Sequence, residues 1–150
     1  MEQSLVIIKP DAIQRGLVGN ILQRFEYKGL KIVGLKMIRL DEALLKEHYA
    51  HVAEKPFFQE LSQFMSSSPV LVLVLEGPQA VELVRLVCGI SPTDMGSIRG
   101  DFSLSTQRNV VHSSDTPENA QKEIRRFFSE KELFEYDKDE WRHALSLNER

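Results

Sequence analysis

The run Val70-Leu71-Val72-Leu73-Val74-Leu75 is apolar at every position, bounded by Ser68-Pro69 before it and Glu76-Gly77-Pro78 after it. A strand with one wet face alternates apolar and polar residues, whereas an unbroken run suits a strand covered on both faces. At six residues it is far short of the ~20 needed to span a membrane, and no longer apolar run exists in the chain. The chain must therefore supply partners for two faces of a sheet.

The flanking patterns supply them. Leu5-Val6-Ile7-Ile8 reads as a second buried strand, stopped by Pro10. Leu17, Ile21, Leu22 and Phe25 fall at helical spacing, and Gly29 ends that helix. Lys31 to Leu40 reads as a strand, and Asp41 as the N-cap of a helix through Leu44, Leu45 and His48. Phe57, Phe58, Leu61, Phe64 and Met65 form another helical stripe after Lys55-Pro56. Ala80, Val81, Val84 and Val87 form a helix up to Gly89, and Ile90 to Phe102 has the composition of a loop. Asn109 to His112 is a short apolar stretch leading to Thr116-Pro117, an N-cap and first helical position. Ile124, Phe127 and Phe128 give that last helix its apolar face. The alternation of strands and helices is compatible with an α+β sandwich, a small sheet under helices. Periodicity leaves parallel and antiparallel pairing open.

The 150 residues suit a single domain over 1–150, at about 100–200 residues per domain, with residues 138–150 as a polar tail. The tail carries Trp141 and is expected to pack along a surface or a neighbouring subunit. Net charge is −3, which disfavours a general nucleic-acid coat but leaves room for a local basic pocket. The single Cys88 cannot form an intramolecular disulfide or anchor a zinc pattern. Met1 to Pro10 does not read as a signal peptide, so a cytoplasmic location is expected, with no membrane association.

Nothing matches a Walker A loop or a G-x-G-x-x-G fingerprint. Phosphate would have to be held by side-chain cations, and Lys9, Arg85 and Arg99 are the candidates. Among the four histidines, His48 and His51 lie three apart on a helix without a third ligand, and His143 lies in the tail. His112 stands out: it follows two valines and precedes Ser113-Ser114-Asp115 at a helix entrance. A neutral imidazole there is a competent nucleophile. His112, Ser114 and Asp115 carry the letters of a hydrolase triad, but neighbours in sequence rarely present that geometry and no G-x-S-x-G elbow exists.

Asn109-Val110-Val111-His112-Ser113-Ser114-Asp115 is similar to the N-x-x-H-[GA]-S-D signature of nucleoside diphosphate kinases. Further blocks resemble that family in its order. They are Ile8-Lys9-Pro10-Asp11, Arg15 to Gly19, His48-Tyr49, Lys55 to Phe58, Ser68 to Val70, Glu76-Gly77 and Ile98 to Phe102. The resemblance spans about residues 4–137. It implies a ferredoxin-like α/β sandwich with a four-stranded antiparallel sheet. It also implies a ping-pong transfer from a nucleoside triphosphate such as ATP to a nucleoside diphosphate, with magnesium on the nucleotide phosphates and no protein metal site. By the same resemblance His112 is the nucleophile, Glu123 orients its far nitrogen and Ser114 is bonded to Glu123. Lys9, Arg85 and Arg99 are phosphate ligands, with Ser91 standing where the family has a threonine. Tyr49 sits against the histidine, Phe57 stacks on the base, and Asn109 with Lys9 reaches the sugar. A homo-oligomer is implied, hexamer first and tetramer second, and no specific nucleic acid. Two departures stand out: Ser113 follows the histidine where Gly or Ala is usual, and the Gly89–Arg99 segment is shorter than the family's.

Overall fold

The computed structural model describes residues 1–150. Four strands form one sheet: β1 (Glu2–Ile8), β2 (Lys31–Ile38), β3 (Val70–Gly77) and β4 (Val111–Ser113). Their order is β2-β3-β1-β4 and every pairing is antiparallel. That is the arrangement of a ferredoxin-like sandwich. The apolar run is central, as its lack of alternation requires. It splits by size: Leu71, Leu73 and Leu75 face one core while Val70, Val72 and Val74 face the other. Period-two geometry makes this sorting automatic.

The leucine face is covered by α2 (Val18–Tyr27) through Ile21 and Phe25, and by α5 (Ala80–Cys88) through Ala80, Val84 and Cys88. The valine face is covered by α3 (Glu42–His48), α4 (Phe58–Ser66) and α7 (Pro117–Phe127). Leu45, Phe58, Met65, Ile124 and Phe127 fill that layer. The N-caps expected from the sequence are in place. Asp41 accepts from the Leu44 N–H at 2.8 Å and Thr116 from the Asn119 N–H at 3.1 Å.

Two segments read as turn or loop contain helix. Pro10 ends β1 but also opens the short α1 (Pro10–Gln14), because its fixed φ suits a first helical position. Within the Ile90–Phe102 loop, α6 (Ile98–Phe102) starts where the Ser97 hydroxyl accepts from the Gly100 N–H at 3.0 Å. A five-residue helix leaves too little periodicity to be read from sequence. The segment ahead of it is tightly packed. A Cβ on Gly100 would lie 1.8 Å from the Asp94 carbonyl oxygen, and one on Gly89, at φ +74°, would lie 2.0 Å from the Ser97 hydroxyl.

The chain from Phe134 into the tail runs along the open edge of β2. The Phe134 N–H donates to the Val33 carbonyl, the Tyr136 hydroxyl to that of Ile32, and the Trp141 indole to that of Gly29. The final short helix, α8 (Trp141–Ala144), belongs to this strap. Lys31 is buried beneath it, paired with Glu76 at 2.6 Å and lying 5.1 and 5.0 Å from the Tyr136 and Trp141 ring centres. The edge strand is thereby shielded from pairing over part of its length.

Candidate active site

β4 carries His112 beside Ile7 of β1, and α7 rises directly after it. Glu123 lies in the second half of α7, on the face that packs against the sheet. This brings its Oε2 within 2.6 Å of His112 Nε2. Glu123 is buried, while the His112 side chain keeps about a quarter of its surface exposed, so the ring is held from behind and open in front.

Ser114 does not reach Glu123, contrary to expectation. Its hydroxyl lies 3.2 Å from the Leu5 N–H and 3.4 Å from the Leu5 carbonyl, tying the end of β4 to β1. The residue is fully buried.

Tyr49 is also not the ring against His112. That neighbour is His48, whose ring centre lies 4.7 Å from those of both His112 and Tyr49. Arg126 donates to His48 Nδ1 at 2.9 Å, which places the proton on Nε2, a buried N–H without a partner. Burial, reinforced by His112 and Arg126, pushes the His48 pKa down to about 3, so the ring is neutral. Burial, with Glu123 nearby, pushes the Tyr49 pKa up to about 12. Sequence reasoning missed His48 and Arg126. His48 was visible at the end of α3, but only the fold sets that helix end against β4.

Lys9 is buried at the end of β1 and donates to the Asn109 Oδ1 at 2.7 Å. Burial, with Arg99 adding, lowers its pKa to about 8 against the opposing pull of Asp11. Arg85 is exposed on α5. Arg99 on α6 donates to the carbonyls of Gly89 and Val111, each at 2.7 Å, so its guanidinium straps the end of α5 to β4. Burial, with Arg85 adding, lowers its pKa, although a guanidinium stays cationic. Arg85 and Arg99 line one cleft of about 580 Å³ with Ser113 and Asp115. Ser113 and Asp115 also line a second cleft, of about 530 Å³, which contains His112, His48, Tyr49 and Glu123. The imidazole therefore adjoins a recess that holds two guanidinium groups alongside the carboxylates of Glu2, Glu82 and Asp115.

Ser91 lies in the compact loop, its hydroxyl 2.8 Å from that of Thr93, and neither cleft is lined by it. Phe57 is exposed at the head of α4, beside a separate groove of about 300 Å³ shared with Phe64 and Arg108. Arg108 itself lies 5.4 Å above the Phe64 ring.

His48, His112 and Glu123 place three donor atoms within 4.8 Å of one another. Magnesium takes octahedral oxygen sets and keeps several waters. Two imidazoles beside one carboxylate, with Arg126 already on His48, do not make that set.

The chain is similar in sequence and fold to known proteins. A model of the nucleoside diphosphate kinase family fits residues 2–133. The nucleoside diphosphate kinase of Pyrococcus horikoshii is 53% identical over 141 residues, covering 90% of each chain. That of Parabacteroides distasonis is 49% identical over 150 residues, covering 98% of this chain and 96% of its own. Among solved structures, the halophilic nucleoside diphosphate kinase of Halobacterium salinarum in complex with CDP superposes with a TM-score of 0.92 at 41% identity. The match covers 97% of this chain and 99% of that one. The nucleoside diphosphate kinase of Encephalitozoon cuniculi superposes with a TM-score of 0.87 at 39% identity, over 94% and 99%. On sequence and fold together, the chain is an enzyme of the nucleoside diphosphate kinase family.

Proposed function

We propose that the chain transfers the γ-phosphoryl group of ATP or another nucleoside triphosphate to a nucleoside diphosphate through a phosphohistidine on His112. The observation that carries this reading is the 2.6 Å contact between His112 Nε2 and Glu123. A carboxylate only accepts, so the neutral ring carries its proton on Nε2 and its free lone pair on Nδ1. The Nδ1 lone pair attacks the γ-phosphorus, an N–P bond forms, and the bond to the β-phosphate oxygen breaks. The diphosphate leaves with that electron pair. An oxygen of the second diphosphate's β-phosphate then attacks the phosphohistidine, and the N–P electrons return to Nδ1. Glu123 stabilises the positive charge that the ring gains in the first step and loses in the second.

Such transfer depends on positioning and charge neutralisation. Lys9, Arg85 and Arg99 supply cations, Asn109 with Lys9 serves the sugar, and Ser91 stands where the family has a phosphate-binding threonine. Phe57 offers a stacking face that every base can use, which supports broad base tolerance. Magnesium would arrive with the nucleotide and would add positive charge to that supplied by Lys9, Arg85 and Arg99. Tyr49 walls the cleft through His48, and Ser114 acts by fixing the end of β4. No helix is long and apolar enough to cross a membrane, which is compatible with a cytoplasmic enzyme. Exposed Leu35, Met37, Leu86, Ile90 and Met95 leave apolar surface for a homo-oligomer, and the order of hexamer before tetramer rests on the family resemblance.

The test is incubation with radiolabelled ATP. The chain should acquire an acid-labile, base-stable phosphate, and His112→Ala should lose both label and transfer while still binding nucleotide. Turnover by a clean His112→Ala preparation would overturn the mechanism.

A further inference from the structure

Val110 stands two residues before His112 with a φ of +65°, fully buried and β-branched. That backbone region is crowded for any side chain and most of all for a branched one. The Val111 N–H donates to the Asn109 carbonyl at 2.8 Å. A bond from residue i+2 back to residue i across a central residue of positive φ is the rare, strained form of the γ-turn. Neither glycine nor asparagine stands at 110 to favour it, so the surroundings must impose it.

Those surroundings are the junction of β1 and α1. The Val110 carbonyl accepts the Lys9 N–H at 2.9 Å, and the Val110 N–H donates to the Asp11 Oδ2 at 3.1 Å. Both polar backbone groups of the strained residue are thus bonded to residues 9 and 11. The Asp11 Oδ1 is buried with no partner, so the carboxylate has no other hydrogen bond in the fold. The turn is also the joint between two halves of the site. Asn109, paired with Lys9, precedes it, and His112 follows on β4.

We propose that Asp11 is a positioning residue for phosphoryl transfer, holding the Val110 turn that sets His112 against the Lys9–Asn109 pair. Its one side-chain hydrogen bond is to the Val110 backbone, and it makes none to His112. Without it the Val110 N–H is buried and unsatisfied, and the chain relaxes toward extended backbone, swinging Asn109 relative to His112. This inference rests on the reading of His112 as the phosphorylated residue.

The discriminating experiment compares wild type, Asp11→Ala, Val110→Gly and the double variant. The reading is the single-turnover rate of His112 phosphorylation at saturating ATP, with circular dichroism as a check on folding. Glycine adopts positive φ without a side-chain penalty, so it should make the Asp11 clamp dispensable. Asp11→Ala should phosphorylate about 10- to 100-fold more slowly, the scale of a misplacement of about an ångström. The double variant should return to within a few-fold of Val110→Gly. An Asp11→Ala enzyme at the wild-type rate, or a double variant as slow as Asp11→Ala, would overturn the inference. If Asp11→Ala does not fold, Asp11→Leu, which keeps the volume but has no acceptor for the Val110 N–H, takes its place alone and with Val110→Gly, and the same two rate patterns overturn the inference. A failure of the underlying reading shows separately: wild type would turn over without any acid-labile label on His112.

Discussion

His112 Nε2 and Glu123 Oε2 lie 2.6 Å apart across the seam between β4 and α7, with Glu123 buried and the imidazole open on its other side. One contact therefore fixes the ring's orientation, its tautomer and the nitrogen left for chemistry. Replacing Glu123 by Gln keeps the shape and removes the charge. A hydrogen bond to a charged group contributes about 1.5–3 kcal/mol, so Glu123→Gln should slow His112 phosphorylation by roughly 10- to 100-fold. Stopped-flow single turnovers read this directly, and an unchanged rate would remove Glu123 from the mechanism.

Lys9 makes nucleotide affinity depend on alkaline pH. Its folded pKa of about 8 means that the ammonium is half lost near pH 8 in the free enzyme. A bound phosphate requires the charged form, so affinity for ADP should weaken above pH 8 by up to about tenfold per pH unit. The stability effect has the opposite sign. Between about pH 8 and the ordinary value of 10.5 the unfolded chain holds a proton that the folded one has released, so this term favours folding as pH rises. Calorimetric titration and thermal unfolding at pH 7.5 and 9, each compared with Lys9→Met, separate the two. An affinity difference independent of pH would refute the assignment.

His48 should make the fold acid-sensitive. The unfolded ring protonates below about pH 6.5, whereas the buried ring stays neutral down to about 3. Across that window the unfolded state binds the extra proton, so stability falls as pH falls. The slope is up to about 1.4 kcal/mol per pH unit. Arg126 and His112 face the ring and oppose its protonation, while Glu123, 3.9 Å from Nδ1, favours it. Urea unfolding at pH 7, 6 and 5 should show a shallower slope for His48→Gln than for wild type. Equal slopes would mean that Glu123 or water admits the proton.

Phe57 should set affinity with little regard to which base is bound. Aromatic stacking contributes about 1–3 kcal/mol per base and is tolerant of sequence. Phe57→Ala should therefore raise KM for purine and pyrimidine diphosphates alike, with the larger effect on purines. A loss confined to one base would show that a side chain reads its edge.

The architecture was legible in short stretches because burial and periodicity are local properties. Val70–Leu75 declared a strand covered on both faces, and Asp41 and Thr116 declared their helices. The ordered blocks around Lys9, His112 and Arg99 pointed to the family, and the antiparallel sheet followed from that resemblance rather than from periodicity. What the chain alone could not decide were relations across the sheet. Ser114 stands near His112 in sequence, but its hydroxyl bonds to the Leu5 backbone, because it follows β4 directly where that strand lies against β1. Tyr49 yielded its place beside His112 to His48, since the end of α3 presents one of two adjacent rings to β4. The left-handed turn at Val110 has no local signal at all. Its conformation is strained for that residue type, and only bonds to Lys9 and Asp11, about a hundred residues away in sequence, hold it.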